Sequence, residues 1–407
     1  MTILGSGVLS ANGKFRPSWS IVFNQLCSEL AESGLDLTRL SLGEAFFRQP
    51  ALLDLKVDWG KGSHYSDSSG VNLLRQKFAK YYSSAFKAEI DSDNVIVSAG
   101  SKALIYLILK SRGLGSEDEV LCPEPVWLSY PEQIQSANAQ MKTIPLEDSL
   151  NIERWKNYLN KNTKGILLSH PNNPQGYCYT REEVSAIKAI AKENSLFIIA
   201  DEVYGEFSKK GQFVSFADGT DFEKESIYIV ASISKMFSLS GWRIGFACAP
   251  KSQKEKVLTL NQHLITCAPT VLQQIVAENF ETLLKNSRTE IARLLSRIYE
   301  IDKFAEKLNL NFLKYNSTFY RFLDLDGIGD SDLKFSLRLM TEQNISVVPG
   351  SAYLTTPRKF IRLSYGVEEP EKIKNALKLI SQQMGTKSSS LNIHRLPKKW
   401  TRFFEKF

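Results

Sequence analysis

The chain has 407 residues, of which 43% are hydrophobic and 23% charged, and a formal net charge of +7. The length predicts two packed units rather than one small core, and the composition is that of an ordinary soluble globular protein. Residues 386–407 carry a net +5 through Lys387, Arg395, Lys398, Lys399, Arg402 and Lys406 against Glu405. The remainder, near +2, is too little for a nucleic-acid-binding face, so no nucleic-acid partner is expected.

The cysteines indicate the cellular compartment. Five of them, odd in number and far apart, show no disulfide framework and no metal-ligand spacing: Cys27, Cys122, Cys178, Cys248 and Cys267. They are typical of reduced thiols in a cytoplasmic protein, and no metal site is expected. No basic segment followed by an apolar one opens the sequence, and no run approaches about 18 apolar residues, so neither secretion nor a membrane span is expected.

The first predicted element is an amphipathic helix over about residues 21–33, because Ile21, Val22, Leu26 and Leu30 recur at helical spacing before Gly34. From residue 93 onward, short β-branched runs alternate with helical patterns. Such alternation is typical of a parallel sheet with helices on both faces. The predicted strands are 95–97, 119–121, 166–168, 196–200, 227–231 and 245–249, and the predicted helices between them are 103–109, 127–134 and 182–190.

A second unit is predicted toward the C-terminus. Helices over about 251–308, interrupted at Cys267-Ala268-Pro269, would lead into it. Its predicted strands and helices are 318–325, 333–343, 345–348, 360–363 and 371–384. The predicted fold class is α/β, with a large domain whose mostly parallel central sheet is flanked by helices, plus a smaller α+β domain formed by both chain ends. We place the N-terminal part of the small domain at 1–45, the large domain at 46–285, the C-terminal part of the small domain at 286–385 and a basic tail at 386–407.

The basic tail allows two interpretations. The simpler one is a solvated or docked terminal segment. The alternative is an amphipathic patch that touches a membrane surface or a partner through its aromatic side chains, Trp400, Phe403, Phe404 and Phe407.

The strongest chemical signal is a lysine, Lys235, just after a predicted strand and before Gly241-Trp242-Arg243-Ile244-Gly245. A lysine amine is a good nucleophile when burial or nearby cations keep it unprotonated. Ser232, Ser234 and Arg243 could bind a phosphate beside it, Arg243 through its planar guanidinium. An exposed lysine and an ordinary salt-bridge arginine would be the alternative. The segment favours an amine that attacks an aldehyde next to an anion site.

Two other predicted strands deliver polar residues at their carboxyl ends, where open α/β sheets place their ligands. Asp201 ends the apolar strand at 196–200, although it could instead cap the helix that follows. Gly100, Ser101 and Lys102 form a small-residue turn before a predicted helix. Free backbone N–H groups at a helix N-terminus bind anions, so this turn is a second candidate phosphate contact.

Together these segments resemble the class I and II aminotransferases, which are pyridoxal-phosphate enzymes of the aspartate-aminotransferase-like fold (fold type I). The likeness runs from about residue 20 to residue 381, and the S-x-S-K-x-x-x-x-x-G-W-R-x-G motif is quite specific. The sequence departs from the family at Ala45-Phe46-Phe47, close to the expected substrate side chain. Further matching segments are Pro123-Glu124-Pro125-Val126-Trp127, Asn172-Asn173-Pro174-Gln175-Gly176, Asp201-Glu202-Val203-Tyr204 and Arg362-Leu363-Ser364-Tyr365-Gly366.

The resemblance implies that Lys235 holds pyridoxal 5'-phosphate as a Schiff base and that Asp201 keeps the pyridine nitrogen protonated. Tyr204, the third implied catalytic residue, would share the phenolic oxygen with Asn173, and Trp127 would stack on the ring. The remaining implied cofactor contacts are Gly100, Ser101, Lys102, Ser232, Ser234, Arg243 and, from a neighbouring subunit, Tyr65. Tyr65 thereby implies a homodimer with shared active sites.

The implied activity is transfer of the amino group of an L-amino acid, aspartate-type or aromatic, to a 2-oxo acid such as 2-oxoglutarate through a Lys235 aldimine. Arg362 would clamp the α-carboxylate, and Gly43 and Asn173 would also line the substrate. The alternative is a pyridoxal-phosphate-dependent lyase, cyclase or oxidase, because fold does not settle the reaction. A non-catalytic sensor fused to a DNA-binding module is not expected, since about twenty residues precede the first predicted helix.

Overall fold

The computed structural model describes residues 15–53, 57–385 and 396–404. Its helices, numbered in chain order, are α1 (Trp19–Glu32), α2 (Trp59–Gly62), α3 (Asn72–Phe86), α4 (Ser101–Ser111), α5 (Tyr130–Ser136), α6 (Arg181–Glu193), α7 (Ile233–Met236), α8 (Lys251–Leu264), α9 (Thr270–Lys307), α10 (Asp332–Gln343), α11 (Pro370–Met384) and α12 (Lys398–Phe404). Its strands are β1 (Thr38–Arg39), β2 (Val95–Ser98), β3 (Glu119–Pro123), β4 (Gln140–Ile144), β5 (Thr163–Ser169), β6 (Phe197–Asp201), β7 (Ile227–Ser232), β8 (Gly245–Cys248), β9 (Tyr320–Asp324), β10 (Ile345–Ser346), β11 (Val348–Pro349) and β12 (Phe360–Ser364).

Seven strands form the large sheet, in the order β2-β8-β7-β6-β5-β3-β4. Neighbouring strands are parallel except that β8 runs antiparallel to both β7 and β2. The chain leaves β7 at Ser232 and enters β8 at Gly245 from the same end of the sheet, since these two residues pair with each other. The predicted mostly parallel central sheet is therefore confirmed, with β8 as its antiparallel member.

Helices cover both faces of this sheet. Side chains of α3, α6 and α9 pack on one face, and side chains of α4, α5 and α8 pack on the other. Phe78 of α3 stacks on Phe246 of β8 and meets Phe280 of α9 edge to face. Because both faces are buried, the strands read in the sequence as continuous apolar runs such as Ile198–Ala200 rather than as alternating patterns.

The small domain is built from both chain ends, as predicted. Its three-stranded antiparallel sheet has the order β11-β12-β9, and α10 and α11 pack beside it. The N-terminal segment joins it through β1, where Thr38 pairs with Ile345 of β10 in a parallel register. The predicted break at Cys267-Ala268-Pro269 separates α8 from α9, and α9 then runs for 38 residues. The predicted boundary at residues 285/286 falls inside α9 and stays a prediction.

Several local predictions differ from the structure. The helix α3 was not predicted, although Leu74, Phe78 and Tyr82 repeat at helical spacing and are buried. The strand β4 was also missed because it is an edge strand whose residues are mostly half-buried, so it lacks an apolar run. The apolar stripe of α1 is Trp19, Val22, Phe23, Leu26, Cys27 and Leu30, whereas Ile21 is 49% exposed.

The described part of the basic tail, residues 396–404, ends in α12, which docks on α1. Trp400 and Phe404 are buried, and Phe404 stacks on Trp19 with ring centroids 6.3 Å apart. The docked interpretation therefore holds for these residues. Phe407 lies outside the described residues.

All five cysteines are free thiols, and four of them are buried. Burial raises the pKa of the Cys178 thiol to about 12, so this thiol is unreactive near neutral pH. Within the three described ranges, no helix combines the length and the apolar character needed to cross a membrane.

Candidate active site

A cavity of about 300 Å³ opens between the carboxyl edge of the large sheet and the small domain. Loops that follow β5, β6 and β7 form one side of it, and β9, β12 and α1 form the other. Eleven of the fourteen predicted site residues line this cavity: Gly43, Ser101, Lys102, Trp127, Asn173, Asp201, Tyr204, Ser232, Ser234, Lys235 and Arg362. Gly100 and Arg243 lie beside it, whereas Tyr65 is on the surface with 86% of its area exposed.

Lys235 lies in the short helix α7 that directly follows β7. Its Nζ donates a hydrogen bond to the carbonyl oxygen of Gly43 at 2.6 Å. Burial, together with the charges of Arg362 and Arg243, lowers the pKa of Lys235 to about 8, and Glu44 opposes this shift. A useful fraction of the amine is therefore neutral near physiological pH, as a nucleophile or base requires.

Asp201 is the last residue of β6 and is buried. Its Oδ2 accepts a hydrogen bond from the hydroxyl of Tyr130 at 2.9 Å. Its Oδ1 is buried, and no residue that the structure describes donates a hydrogen bond to it with ordinary geometry. Burial raises the pKa of Asp201 to about 7, although the Tyr130 bond opposes this. A cationic N–H group such as a protonated pyridine nitrogen fits this free oxygen.

A chain of polar contacts links the two sides of the cavity. Tyr204 Oη lies 2.8 Å from Tyr320 Oη, and Asn173 Nδ2 donates to Tyr204 Oη at 3.4 Å. Arg362 donates to Asn173 Oδ1 at 3.2 Å and also to the carbonyl oxygen of Ser41. Burial raises the pKa of Tyr204 well above its ordinary value, so its hydroxyl stays protonated. These contacts fix the orientation of Arg362 from the large-sheet side.

Aromatic rings hold the Arg362 guanidinium in place. Its carbon lies 4.9 Å from the ring centre of Tyr320 and 5.7 Å from that of Tyr353. Gly43 provides the space beside it, since a Cβ there would come within 2.9 Å of Tyr320 Oη. A planar guanidinium held in this way is suited to a carboxylate, which it binds through two parallel hydrogen bonds.

The helix α4 begins at Ser101 after its N-cap Gly100, and the backbone N–H groups of its first turn have no partner within the helix. The N–H of Gly100 itself donates to the carbonyl oxygen of Ser98 at 2.7 Å. Gly100 has φ +92°, and a Cβ on it would lie 2.5 Å from a terminal nitrogen of Arg243. Lys102 lies with its Nζ 5.2 Å from the ring centre of Trp127. Cations and free amides therefore converge on one small space, as an anion such as a phosphate ester requires.

Ser232 and Ser234 differ in their positions. The Ser232 hydroxyl accepts from the backbone N–H of Ser234 and lies 2.9 Å from the carbonyl oxygen of Ile244, so it is buried and already bonded. Ser234 is half-buried at the cavity wall. Ser232 thus orients Ser234 at the start of α7.

Several residues that line the cavity or bond to its lining residues are not predicted from the sequence. Tyr320 and Tyr130 bond to Tyr204 and Asp201, yet no recognisable motif surrounds either tyrosine. Glu44, which follows Gly43 in the sequence, also lines the cavity and accepts a hydrogen bond from Ser240 at 2.7 Å. The predicted helix counts Ile21 among its buried apolar positions, whereas the structure places Ile21 in the cavity wall.

The model of the family described as aminotransferase class I and II matches residues 50–380 of this chain. The chain belongs to the class I and II aminotransferases. Enzymes of this family depend on pyridoxal 5'-phosphate, so the expected cofactor and the expected transfer of amino groups are confirmed. The free Oδ1 of Asp201 and the space kept by Gly100 both fit that cofactor.

Similar proteins cover almost the whole aminotransferase chain. A probable aspartate/prephenate aminotransferase of Aquifex aeolicus is 30% identical over 382 residues, which cover 89% of this chain and 95% of that protein. An aspartate aminotransferase of Bacillus subtilis is 31% identical, covering 86% and 92%. The crystal structure of the Thermotoga maritima aspartate aminotransferase superposes with a TM-score of 0.81 at 26% identity, covering 93% and 100%. The predicted fold class is thereby confirmed.

Proposed function

We propose that this aminotransferase moves the amino group of an aspartate-type L-amino acid to a 2-oxo acid such as 2-oxoglutarate. The observation that carries the proposal is the placement of the Lys235 amine, the free oxygen of Asp201 and the Arg362 guanidinium around one cavity. Relatives that are named aspartate aminotransferases support the choice of donor. An aromatic amino acid is the second candidate donor, because one relative is named an aspartate/prephenate aminotransferase.

The residues beside the cavity would hold the cofactor from three directions. Asp201 would pair with the pyridine nitrogen, Trp127 would cover a ring face, and the amides at the N-terminus of α4 with Arg243 would bind the phosphate. When bound, pyridoxal phosphate supplies an electron sink for the electrons left on the substrate carbon after a proton is removed.

The protein side chains would orient the amino acid and move its proton. Arg362 would bind the α-carboxylate in a bidentate pair, which fixes the Cα–H bond toward Lys235. The Lys235 amine, with its pKa of about 8, would then take the proton from Cα and hold it for return. Asn173 bonds to both Tyr204 and Arg362, and these hydrogen bonds would hold the three side chains in fixed positions beside the cofactor ring.

Lys102 adds a second cation, which could favour donor amino acids that carry a second carboxylate. Its ammonium lines the cavity, where burial and the charge of Arg243 lower its pKa. If Lys102 binds a second carboxylate of the donor, Lys102→Met raises KM for aspartate and leaves KM for phenylalanine unchanged. If it binds only the cofactor phosphate, the same variant weakens cofactor affinity with either donor. Titration of the wild type and of Lys102→Met with pyridoxal phosphate separates the two roles.

We also propose a homodimer with shared active sites, to which Tyr65 contributes from the neighbouring subunit. Tyr65 is exposed, and large apolar side chains near it in the chain are exposed as well, including Leu53, Trp59 and Leu73. Large exposed apolar side chains are typical of surfaces that another chain covers.

Subunit complementation tests this dimer. Lys235→Ala and Tyr65→Ala chains, unfolded and refolded together, should recover up to about one quarter of wild-type activity, because half of the dimers are mixed and one site of each is complete. Each variant refolded alone is the control. No recovery in a mixture shown to contain mixed dimers contradicts a shared site.

We place the enzyme in the cytoplasm. The support is chemical, since five free thiols are compatible with a reducing compartment. Fractionation of cells that express the chain at its natural level, with activity measured in each fraction, would test this placement.

The first test of the function is an absorbance spectrum of the purified protein before and after single amino acids are added. A band near ~420 nm, typical of a lysine-bound cofactor, should move to ~330 nm with the true donor. The 2-oxo acid and pyridoxamine phosphate should appear in equal amounts. Release of ammonia, thiol or peroxide instead would indicate the lyase, cyclase or oxidase alternative. Absence of the band after cofactor is added would contradict the role of Lys235.

A further inference from the structure

The helix α1 forms one wall of the active-site cavity. Ile21 and Asn24 line this wall beside Gly43. Asn24 Oδ1 also accepts a hydrogen bond from the hydroxyl of Ser41, whose carbonyl oxygen is bonded by Arg362. The position of α1 therefore sets the shape of the cavity next to the guanidinium that would bind the substrate carboxylate.

The opposite side of α1 is apolar, and α12 lies against it with contacts from Trp19 to Glu29. The rings of Trp19 and Phe404 stack at 6.3 Å, and Phe23 meets Phe404 at 6.1 Å. Leu396, Trp400 and Phe404 belong to the same buried cluster as the apolar stripe of α1 and the small-domain strands. Only 6% of the surface of Trp400 is exposed to solvent, so α12 packs on α1 as part of the protein core.

Polar contacts fix the register of the two helices. Glu29 of α1 accepts a hydrogen bond from the indole N–H of Trp400 at 2.8 Å and pairs with the ammonium of Lys399. An indole N–H that is bonded in this way can be satisfied only when the ring lies in one orientation. The contact between α1 and α12 is therefore specific as well as apolar.

We propose that α12 is a positioning element of the active site, in which Trp400 and Phe404 hold α1 where Ile21 and Asn24 shape the amino-acid end of the cavity. The inference rests on the proposed function and adds a determinant of substrate binding to it. The helix α12 lies beyond residue 380, where the family match ends. The cofactor would be held from the carboxyl edge of the large sheet, so α12 acts on substrate binding and not on cofactor binding.

The test compares full-length, cofactor-loaded Trp400→Ala with Trp400→Phe and with Phe304→Ala. Phe304 is the control, because it is a partly buried aromatic residue of the small domain whose hydrophobic cluster is separate from that of Trp400. Its ring lies beneath the ammonium of Lys378. If α1 occupies its binding position only about a tenth of the time in Trp400→Ala, the donor KM rises about tenfold. The value of kcat should change less than about threefold, and the ~420 nm band should be retained.

Hydrogen exchange of backbone amides provides a readout that does not depend on activity. In Trp400→Ala the amides of α1 should exchange faster while those of α3 keep their wild-type rates. Trp400→Phe should retain most of the wild-type KM and α1 protection. Glu29→Gln, which keeps all the rings, should give a smaller change in the same direction and serves if Trp400→Ala does not fold.

Three results would overturn the inference: an unchanged donor KM in Trp400→Ala, unchanged exchange of the α1 amides, or an equal rise of KM in Phe304→Ala. A different result would show that the proposed function itself is wrong. In that case the wild-type protein converts none of the amino acids tested, and the exchange of α1 in the variants still decides whether α12 holds α1.

Discussion

The large-sheet side of the active-site cavity is built from strand ends, whereas the small-domain side is assembled from both ends of the chain. Asp201 ends β6 and pairs in register with Ser169 of β5, so the spacing of the residues that follow is set by the sheet itself. On the other side, Arg362 and Tyr320 come from β12 and β9, and Ile21 from α1. The first side is suited to hold a cofactor rigidly. The second side depends on packing and is suited to orient and select a substrate.

The largest expected effect is on the large-sheet side. Lys235→Ala should lower kcat/KM for transamination by about 10⁴-fold, since the base that moves the Cα proton is lost. Steady-state turnover with the best donor measures it. Lys188→Ala is the control, because Lys188 bonds to Thr220 and does not line the cavity. Turnover by Lys235→Ala within tenfold of wild type would refute the assignment.

The second effect appears in the cofactor-free protein as a dependence of stability on pH. Burial raises the pKa of Asp201 from 3.8 to about 7, so the folded state binds this proton more tightly than the unfolded state does. The stabilisation is complete below about pH 4 and is lost as the pH rises through about 7. Asp201→Asn removes the group that titrates.

The free energy of unfolding of Asp201→Asn, relative to wild type, should therefore increase by about 2 to 3 kcal/mol between pH 5 and pH 8. Denaturant unfolding at the two pH values measures it. The exposed Asp326→Asn serves as the control and should show no such difference. A difference independent of pH would mean that Asp201 titrates normally in the folded protein.

A substitution on the small-domain side should act on substrate binding instead. Arg362→Lys keeps the charge but loses the planar pair of donors, so the donor KM should rise about 100-fold while the ~420 nm band is retained. Arg358→Lys is the matched control, because Arg358 pairs with Asp324 at the surface. Loss of the cofactor band in Arg362→Lys would indicate that the two sides are not separable.

The smallest expected effect concerns the anion site. Gly100→Ala would place a Cβ against Arg243, and cofactor affinity should fall about tenfold. Gly211→Ala has the same kind of positive φ but open space around it, so it reports backbone strain alone. Equilibrium titration with pyridoxal phosphate compares the two. Equal affinities would show that the Arg243 contact does not matter.

The sequence by itself predicted which residues of the large-sheet side would lie together, and the structure brings Lys235, Asp201 and Asn173 to one cavity. Lys235, Asp201 and Asn173 each lie in a short contiguous motif after an apolar strand, and parallel strands bring their carboxyl ends to one edge. The strands buried on both faces were predictable because each is a continuous apolar run. The half-buried edge strand β4 lacks such a run and was not predicted.

Only the tertiary structure revealed Tyr320, Tyr130 and the cavity face of α1. Tyr320 bonds to Tyr204 across 116 residues of sequence, and Trp400 bonds to Glu29 across 371. Such pairs leave no local periodicity, because their positions follow from how the small domain packs on the large sheet. The sequence determined the fold class and the motifs at the strand ends. The packing of the two chain ends decided which further side chains complete the substrate side, since contacts between distant segments form only once the chain is folded.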